Sequence, residues 1–130
     1  PLEVVRHVGG KLSRSGLSMV EDVSFSHDNR YFVVAGLLLS VYDVRNGFKC
    51  CKILKRRRTV ACKFSPRADR LALATAFLTV RILPTPASLD WTLLAEISCD
   101  VAPRILAWAP GPAGRDRLAV AGWAGLAKVV

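Results

Sequence analysis

A four-part pattern of apolar runs and polar turns recurs along this chain at a nearly fixed spacing. That recurrence limits the fold more than any other feature. Residues 20–54 read as four short strands, at 20–26, 31–35, 38–44 and 48–54. His27-Asp28-Asn29-Arg30 is a polar turn after the first run, and Gly36 breaks the second. Arg45-Asn46-Gly47 separates the last two, with Asn-Gly as a hairpin signal. The pattern returns at 59–64, 71–75 and 78–83, and again at 105–110 and 118–121. Phe25 to Phe64 is 39 residues, Val41 to Val80 is 39, and Phe64 to Trp108 is 44.

A four-strand unit of that period predicts propeller blades. The expected fold is therefore all-β, with about three four-stranded antiparallel blades forming a partial β-propeller. Residues 1–19 are expected to hold the outer strand of a preceding blade and a loop. Residues 20–58 and 59–102 form two blades, and 103–130 an incomplete third. Because the chain starts without Met and stops in apolar, strand-like sequence, it reads as a piece of a longer protein. A lone blade cannot bury both faces, so at least about three repeats must stack, and closed rings hold roughly 4–8 blades.

Alternation within the runs supports strands. Glu21-Val23-Phe25, Val60-Cys62-Phe64 and Arg104-Leu106-Trp108 each share a face at period two and end on an aromatic ring. Glu21 and Asp22, being adjacent, are expected on opposite faces. The second strands are apolar on both faces, as strands buried from both sides are. Two of them alternate bulk: Leu71 and Leu73 against Ala72 and Ala74, and Leu118 and Val120 against Ala119 and Ala121. Helix is the competing assignment for 104–109 and 119–128, but Pro110, Gly111, Pro112 and Gly114 between them force short elements.

Here the residues resemble the WD-repeat β-propeller family. The likeness rests on 23–30 with Val33-Val34-Ala35-Gly36 and Val41-Tyr42-Asp43-Val44 in the first unit. Cys62-Lys63-Phe64-Ser65-Pro66, Leu71-Ala72-Leu73-Ala74 and Val80-Arg81-Ile82 carry the second, and Leu106-Ala107-Trp108-Ala109-Pro110 with Leu118-Ala119-Val120-Ala121 the third. The family's Gly-His pair is absent, and its Trp-Asp pair is Tyr42-Asp43 in the first unit and Arg81-Ile82 in the second. Its buried Asp–His–Ser/Thr–Trp network therefore cannot form, and apolar packing must hold the blades together. Such divergent blades are similar to those of large scaffolding subunits. The span from Trp108 to Trp123 is weakly similar to intraflagellar-transport propellers.

No enzyme signal is present. Ser26-His27-Asp28 are consecutive in a turn and cannot line up as nucleophile, base and orienter. Gly9-Gly10 lacks the strand–loop–helix setting of a phosphate loop. Cys50, Cys51, Cys62 and Cys99 lack metal-ligand spacing and read as small apolar filler in a reduced intracellular protein. No cofactor is expected, and no run approaches the ~20 apolar residues of a membrane span. Trp91 is expected to begin the second unit's outer strand and to pack in the core.

Net charge is +9, from 19 Lys+Arg against 10 Asp+Glu, which favours acidic partners. The one charge run is Lys52, then Lys55-Arg56-Arg57-Arg58, with Lys63 beyond. It falls between a fourth strand and the next first strand, on the rim of a ring face. These six residues are the candidate partner-binding set, for phosphates as in RNA, an acidic peptide or an acidic protein tail. The resemblance and the charge together imply a non-catalytic protein-interaction platform in a multi-subunit complex. The alternative is an RNA-associated accessory subunit whose basic loop holds phosphates for a catalytic partner. Either would be intracellular, with cytoplasmic, cilium-associated and nuclear placements all compatible.

Overall fold

The computed structural model describes residues 20–54, 58–67, 69–84, 93–122 and 127–129. Three antiparallel sheets follow one another along the chain. The first holds β1 (Val20–Phe25), β2 (Tyr31–Gly36), β3 (Leu39–Asp43) and β4 (Lys49–Leu54) in sequential order. The second holds β5 (Thr59–Phe64), β6 (Arg70–Thr75), β7 (Thr79–Pro84) and β8 (Ala95–Ser98), again in order. The third holds β9 (Pro103–Ala109), β10 (Arg117–Gly122) and β11 (Ala127–Val129). The expected outer strand at 1–19 lies outside the described residues, as does Trp91. Short meanders form because each polar turn separates runs too short and too β-branched for helices.

The first strand of each sheet runs beside the first strand of the next, β1 along β5 and β5 along β9. The sheets thus stack as consecutive blades, and burial follows the alternation. Between the first two sheets lie Tyr31, Val33, Ala35, Leu39 and Val41 from one side and Cys62, Phe64, Leu71, Leu73 and Leu83 from the other. Between the second and third lie Val60, Ala61, Ala72, Ala74, Val80 and Ile82 against Leu106, Leu118 and Val120. Small Ala72 and Ala74 are what let the third sheet's Leu118 and Val120 approach closely. Burying each large aliphatic side chain contributes roughly 1.5–3 kcal/mol.

All three first strands carry a bulge at the same place. Val20 pairs with Gly36 and Asp22 with Ala35, so Glu21 is the extra residue. Thr59 pairs with Thr75 and Ala61 with Ala74, leaving Val60 over. Pro103 pairs with Gly122 and Ile105 with Ala121, leaving Arg104 over. These positions are 39 and 44 residues apart, the spacing of Phe25, Phe64 and Trp108.

The turn after the first strand is built alike in two sheets. Buried Ser26 accepts from the Tyr31 N–H through Oγ at 2.9 Å and donates to Asp28 Oδ1 at 2.6 Å. Buried Ser65 accepts from the Arg70 N–H at 3.1 Å and donates to Asp69 at 2.8 Å. Backbone bonds Ser26 N to Tyr31 O and Ser65 N to Arg70 O close both turns. The Asn46-Gly47 hairpin takes a longer form than its letters suggest. Val44–Asn46 make a 3-10 turn capped by Asp43, which accepts from the Arg45 N–H, and Gly47 and Phe48 both have positive φ.

Ser26→Ala and Ser65→Ala should each destabilise the protein by about 1–3 kcal/mol, because a backbone N–H loses its partner in a closed turn. Urea unfolding followed by circular dichroism measures this. Leu71→Ala, with its side chain wholly enclosed, should cost more, about 2–5 kcal/mol.

Candidate interaction surfaces

A stack of four-stranded meanders has two rims. One carries the starts of the first strands, the β2–β3 and β6–β7 turns, and the connections between sheets. The opposite rim carries the turns after the first strands and after the third strands.

Of the candidate basic residues, the three that the structure describes, Lys52, Arg58 and Lys63, lie apart from one another. Lys55, Arg56 and Arg57 lie outside the described residues. Lys52 is exposed on β4, the outermost strand of its sheet. Arg58 precedes β5, the innermost strand, and Lys63 lies near that strand's far end, about 17 Å away at ~3.3 Å per residue. Arg58 and Lys63 are both engaged. Arg58 Nη2 is paired with Glu21 Oε1, and Lys63 Nζ lies 3.2 Å from Asp22 Oδ2.

Those pairs form a polar seam between the first two sheets. Asp22 Oδ2 also accepts from the Cys62 N–H at 3.0 Å. Strict alternation would put Glu21 and Asp22 on opposite faces, yet both carboxylates engage the second sheet. The bulge at Glu21 is the cause, since an extra residue breaks the period of two. A second polar contact joins the next pair of sheets: Trp108 Nε1 donates to the Lys63 carbonyl at 3.0 Å. Apolar packing alone, the expectation from the missing family network, is therefore supplemented by hydrogen bonds of a different kind.

The first rim is instead marked by apolar side chains. Leu37 in the β2–β3 turn is 45% exposed, and Phe77 and Leu78 in the β6–β7 turn are 60% and 46% exposed. Leu78 has φ +60°, a left-handed conformation that a leucine adopts at a cost. Thr75 Oγ1 holds this turn, accepting from the Phe77 N–H at 3.2 Å and lying 2.7 Å from Thr79 Oγ1.

The opposite rim holds a cleft of about 400 Å³ where the first strands of the three sheets end. Phe25, Phe64, Leu106 and Trp108 form apolar walls, with Lys63 and His27 at the polar edge. Phe25 is 53% exposed and packs against Phe32, ring centroids 4.8 Å apart. Nothing in the spacing of the sequence advertises this cleft. Its walls include the aromatic rings that end one face of each repeat, and only the juxtaposition of three strand ends opens it.

Among the described residues, catalytic groups do not converge in either place. Ser26 donates its hydroxyl to Asp28, the carboxyl of which is held below its ordinary range by that bond and by the Arg30 N–H. His27 projects from the turn, exposed. Among the described residues no group of His, Cys, Asp and Glu could hold a metal ion. All four cysteines are free, and burial pushes the Cys62 thiol up to about 12. Among the described residues no helix is long and apolar enough to cross a membrane.

The arrangement matches known propeller architecture. The crystal structure of Kluyvelomyces marxianus Hsv2 superimposes with a TM-score of 0.60 at 16% identity, over 86% of this chain and 33% of that one. The chain thus spans about a third of the length of that protein. At this identity the likeness establishes the fold, a β-propeller-like stack of blades. No protein-family model and no curated relative matches the sequence.

Two outcomes test the seam and the thiols. Asp22→Ala should cost about 1–3 kcal/mol by urea unfolding, since it strips the partner from the Cys62 N–H between packed sheets. Glu21→Ala should cost at most about 1 kcal/mol, because its pair with Arg58 is solvent-screened. With a thiol reagent at pH 8, exposed Cys50 should react in the native protein. Cys62 should react only in denaturant, as read by mass spectrometry of trapped peptides.

Proposed function

We propose that this chain is a segment of a divergent WD-repeat-like propeller that serves as a non-catalytic protein-interaction platform in an intracellular multi-subunit complex. The observation that carries the reading is the apolar trio Leu37, Phe77 and Leu78, presented from two successive β2–β3-type turns on one rim. None of the three belongs to the cores between the sheets. Stacked blades fix the spacing of such turns rigidly, and exposed apolar side chains held in register form the kind of patch that a protein partner covers. The strained φ of Leu78 supports a role outside the fold, since glycine or asparagine would suit the turn better.

The alternative reading, RNA held by the basic loop, would have phosphate compete at Arg58 and Lys63 with Glu21 and Asp22, to which those two cations are paired.

The double variant Phe77→Glu/Leu78→Asn removes the apolar anchors and relieves the backbone. Affinity purification from nuclease-treated lysate with quantitative mass spectrometry should recover stoichiometric protein partners with the native chain and lose at least one with the variant. An unchanged partner set, or recovery that vanishes on nuclease treatment of the native protein, would overturn the reading.

A further inference from the structure

We infer that the rim bearing Leu37, Phe77 and Leu78 docks an amphipathic helix with apolar side chains at i and i+7 and an acidic residue between them, at i+3 or i+4. It rests on the platform reading, since it names the partner of that same apolar trio, and it asks more of the partner than an apolar patch alone does.

Exposure comes first. The second sheet is covered on one face by the first sheet and on the other by the third. Phe77 and Leu78, 60% and 46% exposed, therefore owe their openness to the turn itself and not to an uncovered sheet face. That turn is held from both sides. The Ala76 N–H donates to the Arg58 carbonyl at 3.1 Å, and the Cys99 N–H to the Leu78 carbonyl at 2.8 Å. Thr75 Oγ1 closes it from within by accepting from the Phe77 N–H. Both side chains thus stand on a fixed loop, and little ordering is lost when a partner covers them.

Spacing selects a helix. Leu37 and the Phe77–Leu78 pair sit on equivalent turns of neighbouring sheets, and stacked sheets lie about 10 Å apart. Residues i and i+7 of a helix share a face and are about 10.5 Å apart, at 1.5 Å per residue. On an extended strand, residues of one face fall about 6.6 and 13.2 Å apart, short of that gap and beyond it. A helix laid across the two turns seats one apolar residue at Leu37 and the next at Phe77 and Leu78.

Charge fixes what lies between the anchors. Glu21 follows Val20, which pairs with Gly36 next to Leu37, and Arg58 is paired with Glu21. The Arg58 carbonyl is bound to the turn that carries Phe77, so this arginine stands between the two anchors. Its side chain is 47% exposed and that of Glu21 only 17%, so the open charge of the pair is positive. A guanidinium has five N–H donors and can take a second carboxylate while keeping the first. An acid at i+3 or i+4 of the helix, on the face that holds both apolar residues, complements it. A phosphate chain fits less well, because exposed Asp100 follows Cys99 on the far side of the same turn.

The probe is a fluorescein-labelled, alanine-rich helical peptide with leucine at i and i+7 and glutamate at i+4, followed by fluorescence anisotropy. One control peptide carries a central proline, which breaks the helix. A second carries lysine in place of the glutamate. The parent peptide should bind, and the proline peptide should bind about tenfold more weakly or worse. On the protein, Leu37→Glu and Phe77→Glu/Leu78→Asn should each weaken binding about tenfold or more, and Arg58→Gln should abolish the preference for glutamate over lysine. Circular dichroism confirms that these surface variants fold. Equal binding of the proline peptide, no binding at millimolar concentration, or indifference to Phe77→Glu/Leu78→Asn would overturn the inference. Displacement of the peptide by oligouridylate would overturn it too, by assigning this rim to RNA. If the helical peptide fails while Phe77→Glu/Leu78→Asn still loses a protein from lysate, the platform reading stands and the helix falls.

Discussion

Everything in this structure depends on thin sheets covering each other's faces. A four-stranded meander is only one layer deep, so each buried residue of β2 or β6 is shielded by a neighbouring sheet rather than by its own. Val33, Ala35, Leu71, Ala72 and Ala74 are fully enclosed for that reason. The alternation of leucine with alanine is the local solution. Each sheet turns bulk toward one neighbour and leaves a shallow side for the other to fill.

Polar groups are fitted to this plan at the edges. Serines at the ends of β1 and β5 fold their turns shut, and carboxylates close by complete the bonds. Asp22 reaches across to the next sheet and binds a main-chain N–H, where an isolated backbone donor would be costly. The net positive charge of the chain is therefore unevenly felt. Glu21 and Asp22 are engaged in the seam and Asp116 keeps only 7% of its side chain exposed, whereas Arg70, Arg115 and Arg117 face solvent.

Much of this was readable from the letters, and the unreadable part has a definite cause. The phase of Phe25, Phe64 and Trp108 places those rings on equivalent faces, and Leu71 with Ala72 announces a strand covered on both sides. Three sheets in series follow from those positions. The bulges at Glu21, Val60 and Arg104 do not, because nothing in residue type distinguishes a bulged position from a paired one. Missing them misplaces Glu21 relative to Asp22 and hides the seam. For the same reason Lys52, Arg58 and Lys63 look like one patch in sequence but sit on different strands or at different ends of one strand. The cleft was invisible too, since it is made by three strand ends that are 39 and 44 residues apart.

The two repeat lengths carry a further consequence. Between β3 and β4 there are five residues, 44–48, and between β7 and β8 there are ten, 85–94. The difference, 10 − 5 = 5, equals the lengthening of the repeat from 39 to 44. The bulges and aromatic rings keep their places regardless, so they act as fixed marks from which each unit is counted. The longer connection leaves the third strand on the rim that bears the cleft and does not alter how the layers meet, so that side can hold added residues at little cost to the packing between sheets.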